Sequence, residues 1–581
     1  MEIQKVKAKF ERRIINWMYK MKVQTMNNSQ RAMLSTVIVM ALLILTWTLI
    51  PINFETNDDT GIMEYLSGAR TGKPESDSIF SLFLWGKIVS TLYTINAGIP
   101  WYILIFLTLI ALSLMAVCYC VISSVHNVWG IFFPLYFMCF LYYSVIIQFT
   151  MVSAYCGIGA ISLMLINKNE ERRKYIVVKN LIIFLFMFFA VNIRLKIGYL
   201  ILANTAGIVC FEIFKYLLKA SDKKKMKNIM VSFIVACVAV GISVSAHNIH
   251  ESVTGWSDFR EYHAQRANFT DYSKLDYEAN KDLFDSIGWS EDFYGLVSGW
   301  FFMDENVNAE TFRLINECND HKPVDVDLDL LRIRYPRIGF QVIAWILLLI
   351  VFLIDKIKRH AGRYEESIIS FLWLILWLTE TLYFANSGRM QERAFEAWTL
   401  LALMPSFFEM LGSCLRVTRE EKNMVRDVIT FVSLFAICII CICYPNGVFA
   451  GAKALSAERN ERKTLKVEVE DYVMEHPDNL YIYDRSLTMP GDPWIVYPEK
   501  KPYNLVFWGG SGYNSPLYYA QIERNGFEHI YGEDFFDEKI SFMGKEEPHE
   551  DLIKVMDEKF PGCSCDVTDT GNGFIVYKFS R

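Results

Sequence analysis

Long apolar runs recur along this chain and alternate with short clusters of basic residues. About eleven of them are long enough to cross a ~30 Å hydrocarbon layer as helices. They fall at residues 33–52, 100–122, 128–148, 150–166, 176–192, 197–214, 228–247, 338–354, 367–384, 396–413 and 427–447. This pattern predicts an α-helical polytopic membrane protein with about eleven transmembrane helices.

The basic clusters predict how these helices are oriented. Residues 1–32 are rich in Lys and Arg, and four later loops are basic, at 168–174, 219–227, 356–363 and 416–426. All four fall on the same side as the N-terminus only if the apolar segment 79–95 does not cross. Because cytoplasmic loops carry the excess of Lys and Arg, we predict an interfacial amphipathic helix at 79–95, a cytoplasmic N-terminus and an external C-terminus. No small-residue cleavage site follows the first run, which therefore reads as an uncleaved anchor.

This orientation places three large polar pieces outside the membrane. They are a first loop at 53–99 and a second at 248–337, both within the transmembrane domain 33–449, and a C-terminal domain at 450–581. The last piece alternates a charged helical stretch (452–475), a strand (479–484), an apolar piece (505–508), a helix (516–524) and a hairpin (566–579). It is predicted to be a small external α/β domain.

Composition agrees with a membrane protein that has sizeable polar parts. Hydrophobic residues make up 53% of the chain, aromatic residues 15% and charged residues 21%. The net charge of −6 gives no reason to expect a nucleic-acid partner. Most of the 13 cysteines lie in apolar runs, where they act as small buried hydrophobic residues.

Two adjacent acids, Asp58 and Asp59, follow the outer end of the first apolar run. Carboxylates on the first loop of a polytopic protein can act as bases or ligands beside a substrate carried by a lipid. The alternative is a solvated acidic loop, because a motif this short needs a matching structural context.

Two groups of cations are predicted at the same outer surface. Arg194 and Lys196 lie in a very short turn between two spans. Arg389 and Arg393 are four residues apart at the start of another span, where two guanidinium groups and free helix amides suit a phosphate. The alternative for each group is interfacial anchoring by snorkelling side chains.

Further candidates lie in the second loop and at one span end. Arg266 and Asp271, in a stretch interleaved with aromatic residues, are predicted substrate contacts, as is Glu380 towards the outer end of its span. His247 and His250 are spaced so that they could share a metal, but no third ligand is fixed beside them. A divalent cation therefore stays an open possibility.

The layout resembles the GT-C glycosyltransferases, and in particular GT-C-like membrane proteins of Gram-positive bacteria. The residues that carry the resemblance are Asn57-Asp58-Asp59, Met63, Ser67-Gly68, Gly72, Pro74, Leu92-Tyr93 and Pro100-Trp101-Tyr102. The resemblance implies an acidic catalytic residue in the first external loop and a sugar donor carried by a polyprenyl phosphate or a polyprenyl diphosphate.

Two functions follow as hypotheses. In the first, an outer-face glycosyltransferase uses Asp58 or Asp59 as the general base, and the arginines stabilise the departing lipid phosphate. The sugar goes to a cell-surface glycan, lipid or protein. In the second, the protein is a non-catalytic scaffold, or a flippase-like or polymerase-like component, of surface polysaccharide assembly.

Overall fold

Apolar helices dominate the architecture. The structure is a computed structural model and describes residues 26–124, 138–166, 173–218, 223–320, 322–326, 329–358, 365–414, 448–495 and 501–581. The helices of the membrane part and its loops are α1 (Asn28–Leu49), α2 (Asn57–Ser67), α3 (Phe83–Ile95), α4 (Trp101–Ser124), α5 (Phe149–Leu165), α6 (Arg173–Ile193), α7 (Leu195–Leu217), α8 (Lys223–Thr254), α9 (Trp256–Asp271), α10 (Lys281–Ser286), α11 (Glu291–Ser298), α12 (Ala309–Glu317), α13 (Pro336–Lys358), α14 (Glu365–Asn386) and α15 (Glu392–Cys414).

Six helices of the described residues are long and apolar enough to cross a membrane, namely α1, α4, α6, α7, α8 and most of α14. The shorter helix α5 is buried from Phe149 to Met164, that is, at all but its last residue. A helix that is apolar on every face belongs in the centre of a bundle, and α5 packs there against α4, α6 and α15. The predicted polytopic helical architecture is therefore confirmed, and the predicted orientation stays a prediction.

One predicted span is wrong in its described part, and another lies outside the described residues. From residue 138 onwards, the run 128–148 forms a short 3-10 helix (Met138–Ser144) and a strand, β2 (Ile146–Ile147). This strand pairs in parallel with β1 (Asn53–Phe54). Its residues are apolar because they are buried in protein, and an apolar run alone does not separate that case from burial in lipid. The predicted span 427–447 lies in the part of the chain that is not described.

The first loop is ordered around two helices. Helix α2 carries the acidic pair at its start and ends at Gly68, which takes the left-handed conformation. Helix α3 confirms a helix within the predicted segment 79–95, and it buries Trp85, Val89 and Tyr93 at a spacing of four residues. Its position at the membrane interface stays a prediction.

The second loop and the C-terminal domain share one hydrophobic core. Aromatic side chains from both parts meet there, including Trp289, Phe302, Trp508 and Tyr513. A backbone hydrogen bond of 2.9 Å from the Phe302 amide to the Trp508 carbonyl also joins them. The two pieces, which were read separately in the sequence, therefore form one packed body.

The C-terminal domain is a small α/β unit, as predicted. Its elements are α16 (Val448–Glu475), β3 (Leu480–Tyr483), β4 (Leu505–Phe507), α17 (Pro516–Arg524), β5 (Ile540–Gly544), α18 (Glu550–Lys559), β6 (Ser564–Gly571) and β7 (Phe574–Ser580). The strand order is β4-β3-β5-β7-β6, with β3 parallel to both neighbours and β7 antiparallel to β5 and β6. The sequence pattern missed β5 and α18.

Candidate active site

A cavity of about 870 Å³ lies where both loops meet the C-terminal domain. Eight Lys or Arg side chains line it, against three Asp or Glu side chains. The cations are Arg70, Arg194, Lys196, Arg260, Arg266, Arg389, Arg393 and Arg485, and the acids are Asp58, Glu251 and Asp271. A concave site with such an excess of positive charge favours an anionic ligand.

The structure separates the two adjacent acids of α2. Successive helical residues point about 100° apart, so only one of a pair can face a given side. Asp58 lines the cavity with its side chain 24% exposed, and one of its oxygens lies 3.8 Å from the Arg393 guanidinium. Asp59 is fully buried and accepts hydrogen bonds from the Tyr102 hydroxyl at 2.9 Å and the Phe149 amide at 3.2 Å.

The two carboxyl groups also differ in which neighbours lower the pKa that burial raises. Burial raises the pKa of Asp58, while the nearby cations Arg393, Arg194 and Arg266 pull it back down. Burial raises the pKa of Asp59 well above its usual range, against the effect of its hydrogen bond from Tyr102. Asp59 thus ties α2 to α4 and α5 and does not line the cavity, so the predicted catalytic role fits Asp58 alone.

Arg194 and Lys196 both line the cavity at the turn between α6 and α7. The Arg194 guanidinium carbon lies 5.3 Å from the centre of the Phe80 ring and 5.2 Å from that of Phe149. Stacking of this kind holds a guanidinium in place without neutralising its charge. The arrangement agrees better with a ligand contact than with snorkelling towards the membrane surface.

Arg389 and Arg393 reach the same cavity from the turn before α15 and from its first turn. Arg389 makes a 2.8 Å ion pair with Asp271 of α9. Arg393 faces Asp58, as described above. The structure therefore pairs each arginine with an acid that lies more than 100 residues away in the sequence.

Arg266 is held beneath the cavity wall by contacts within the second loop. It is 2% exposed, donates a 3.1 Å hydrogen bond to the Thr270 hydroxyl, and lies 5.2 Å from the Trp300 ring centre. Its Nε has no hydrogen-bond acceptor among the described residues. Burial lowers the pKa of Arg266, although the charges of Asp271 and Asp58 oppose this.

Glu380 does not belong to this site. It lies in α14 and accepts a 3.2 Å hydrogen bond from the Asn204 side chain of α7, away from the residues that line the cavity. The predicted substrate contact at Glu380 is therefore not supported. An acid near a span end was read as functional, whereas here it pairs with an amide on a neighbouring helix.

The two histidines at the end of α8 have separate partners. His247 lies 3.2 Å from Glu251, and His250 lies 2.8 Å from Asp77 and stacks on Phe83. No group of three His, Cys, Asp or Glu side chains suited to a metal is found within the described residues. The structure gives no support to the suggested shared metal.

Sequence reasoning missed the contribution of the C-terminal domain to the cavity. Arg485 follows β3, and the residues Gly509, Gly510, Ser511 and Gly512 follow β4, and all of them line it. Ligands of α/β domains commonly bind at the carboxyl ends of parallel strands. The run of glycines directly after a strand was the signal in the sequence that could have indicated this wall.

The C-terminal domain also forms ion pairs with α2, the helix that carries Asp58. Glu64 of α2 is 6% exposed and lies 2.7 Å from Arg70, 3.4 Å from Lys466 and 3.5 Å from Lys501. Burial raises the pKa of Glu64, but the three cations outweigh it and hold that pKa well below its usual range. Lys466 and Lys501 both also lie within 4 Å of Glu470, at 3.6 Å and 2.6 Å.

Comparison with known proteins finds similarity to solved structures only. No family model and no curated protein matches the sequence. ArnT from Cupriavidus metallidurans bound to undecaprenyl phosphate is similar over 93% of this chain and 97% of that chain, with 10% identity and a TM-score of 0.48. Its apo structure shows the same coverage and identity with a TM-score of 0.40.

Proposed function

We propose that this protein is a membrane glycosyltransferase that moves a sugar from a polyprenyl-phosphate-type carrier to an acceptor at the outer face. The observation that carries the proposal is the distance from each of the three acids of the cavity to its nearest cation, which is longest for Asp58. Glu251 is bonded to Arg260 at 2.6 Å and Asp271 to Arg389 at 2.8 Å. Asp58 has its nearest cation at 3.8 Å, and it is therefore the acid best placed to take up a proton.

In the proposed step, Asp58 accepts the proton of an acceptor hydroxyl. The hydroxyl oxygen forms a bond to the anomeric carbon of the donor sugar, and the bond from that carbon to the phosphate oxygen breaks. The proton remains on Asp58, and the bonding electrons leave with the lipid phosphate. Attack from the face opposite the phosphate inverts the anomeric configuration.

The arginines supply the complementary charge. A phosphodiester with one negative charge becomes a phosphomonoester that approaches two as the sugar leaves. Arg194 lies between α6 and α7, and Arg389 and Arg393 lie at the start of α15, so they can surround the phosphate oxygens from two sides. Donors that are already in place where charge develops stabilise the transition state more than the ground state.

The surroundings of the cavity suit a donor that is anchored in lipid. Leu82, Phe149 and Leu195 line it on the side of the membrane helices. The turn that carries Arg194 joins α6 and α7, which are both long and apolar enough to span. A polyprenyl chain can therefore lie along these helices while its phosphate reaches the arginines.

The test is transfer by the purified full chain in lipid nanodiscs. Polyprenyl-phosphate-linked hexoses and pentoses, radiolabelled in the sugar, would be supplied with an envelope fraction as acceptor. We expect one donor to yield free polyprenyl phosphate and labelled glycan, lipid or protein. Binding of the donors without turnover of any would favour the scaffold or flippase-like alternative, which has no use for a base.

A further inference from the structure

One wall of the cavity is built from parts that the proposed transfer step does not use. It consists of Trp300 from the second loop and the segment 509–512 that follows β4. Tyr483 and Phe507, which are register partners at the ends of β3 and β4, line the cavity beside it. This wall belongs to the loop and the C-terminal domain and lies apart from the membrane helices that carry Arg194 and Arg393.

The glycines bring bare backbone close to Trp300. A Cβ atom on Gly509 would lie 1.8 Å from the Trp300 carbonyl oxygen, so no side chain fits there. Gly510 has a φ of +89°, in the left-handed region that glycine adopts without strain. The segment therefore packs its main chain against the Trp300 backbone, and Ser511 is the one residue of 509–512 that carries a side chain.

Trp300 itself has an unusual backbone. Its φ is +77°, which is costly for a bulky residue and is held in place by the neighbouring packing. Glycine would serve better at this position if only the turn mattered. The indole is partly exposed in the cavity, and the buried Arg266 guanidinium lies against it at 5.2 Å. A strained position that displays a large aromatic ring in a cavity indicates a use for that ring.

Two further residues that line the cavity carry polar groups without partners. The Tyr518 hydroxyl and the Arg266 Nε have no hydrogen-bond partner among the described residues, and both side chains are at least nine-tenths buried. Both residues line the cavity. Buried polar groups are normally satisfied, so these two side chains of the cavity lining keep unused hydrogen-bonding capacity.

We infer that this wall is the subsite that binds a carbohydrate acceptor. A sugar ring offers an apolar C–H face that suits the indole, and hydroxyl groups that suit main-chain and side-chain polar atoms. Arg266 connects the subsite to the base, because it contacts Trp300 and its charge acts on Asp58. This inference rests on the proposed function for its role but not for its binding chemistry.

Two variants that remove the ring make the test independent of folding. Trp300→Gly and Trp300→Ala both delete the indole, but only glycine relieves the positive φ, so the Gly variant should melt at the higher temperature. Trp494→Ala is the matched control, since Trp494 of the C-terminal domain is 43% exposed and does not line the cavity. Trp300→Phe keeps an aromatic face.

The probe is the fluorescently labelled glycan fraction of the cell envelope, incubated with the purified full chain in nanodiscs. Wild type, Trp494→Ala and Trp300→Phe should retain it, and both ring-deleting variants should bind it at least tenfold more weakly. Binding of undecaprenyl phosphate should be the same for all five proteins. Equal glycan retention by wild type and Trp300→Gly, or no retention by wild type, would overturn the inference. Retention that depends on Trp300 without sugar transfer would leave the subsite standing and defeat the proposed function instead.

Discussion

Neutralising Glu64 should loosen the C-terminal domain from the helix that carries Asp58. In Glu64→Gln, the cations Arg70, Lys466 and Lys501 would keep their positions, while Glu470 would be the remaining acid of the network. The Glu64 side chain is 7% exposed, so water cannot replace the lost charge. Breaking a buried ion pair from one side costs up to about 3–5 kcal/mol when the partner charge stays buried and unpaired. Lys466 and Lys501 would keep Glu470 as a partner, so Arg70 is the cation that would lose its ion pair.

The control is an ion pair of the same kind on the surface of the same domain. Glu458 and Arg462 lie 3.1 Å apart on α16, with side chains about half exposed. An exposed pair contributes about 0–1 kcal/mol, so Glu458→Gln should change little. The double variant Glu64→Gln/Arg70→Met should recover part of the loss, since it also removes the cation whose ion pair was broken.

The measurement is thermal unfolding in nanodiscs, together with limited proteolysis of the C-terminal domain. Glu64→Gln should melt earlier and be cut faster than wild type and Glu458→Gln. Because the folded-state pKa of Glu64 is depressed, its contribution is full above the unfolded pKa near 4.5 and is lost as pH falls through the folded value. The difference between the variants should therefore persist at neutral pH and shrink in acid. A Glu64→Gln protein as stable as Glu458→Gln at pH 7 would refute the reasoning.

Three further predictions concern the arginines, the pH profile and the orientation. Arg389→Lys and Arg393→Lys should weaken donor binding by about 1.5–3 kcal/mol, nearly as much as the Gln variants, because a point charge does not reproduce a bidentate contact. Lys variants that bind the donor as well as wild type would show that the phosphate site lies elsewhere. Sugar transfer should fall as pH drops through the raised pKa of Asp58. In Arg393→Gln this acidic limb of the pH–rate profile should move to higher pH, because the variant loses a cation that lowers the pKa of Asp58. A limb that does not move would argue against Asp58 as its source. The exposed Cys318 should react with a membrane-impermeant thiol reagent in intact cells, and labelling only after permeabilisation would place the second loop inside.

Much of the site followed from residue types at the ends of apolar runs. Arg194, Arg389 and Asp58 were each found beside a predicted span end, and the fold brings them into one cavity. A topology in which several loops share one side of the membrane makes such convergence expected. The choice between Asp58 and Asp59 could not be made, because it depends on the rotation of α2 against its neighbours.

The parts that escaped prediction depend on contacts between distant segments. The segment 509–512 lines the cavity because β4 lies beside the second loop, which is some 200 residues earlier in the chain. The buried run around β2 was read as a span because burial in protein and burial in lipid select the same residues. The sequence does not show that Glu380 has a partner, because Asn204 lies on another helix, so the acid was predicted to contact the substrate.

The most direct test of the proposed function compares Asp58→Asn with Asp59→Asn. Asparagine keeps an oxygen that can accept the hydrogen bonds of Tyr102 and Phe149 to Asp59, so Asp59→Asn should fold and keep transfer within tenfold of wild type. Asp58→Asn should fold and bind undecaprenyl phosphate normally, yet lose sugar transfer by ~10²–10⁴-fold, as expected for a missing general base. Full transfer activity in Asp58→Asn would contradict the assignment of Asp58 as the base.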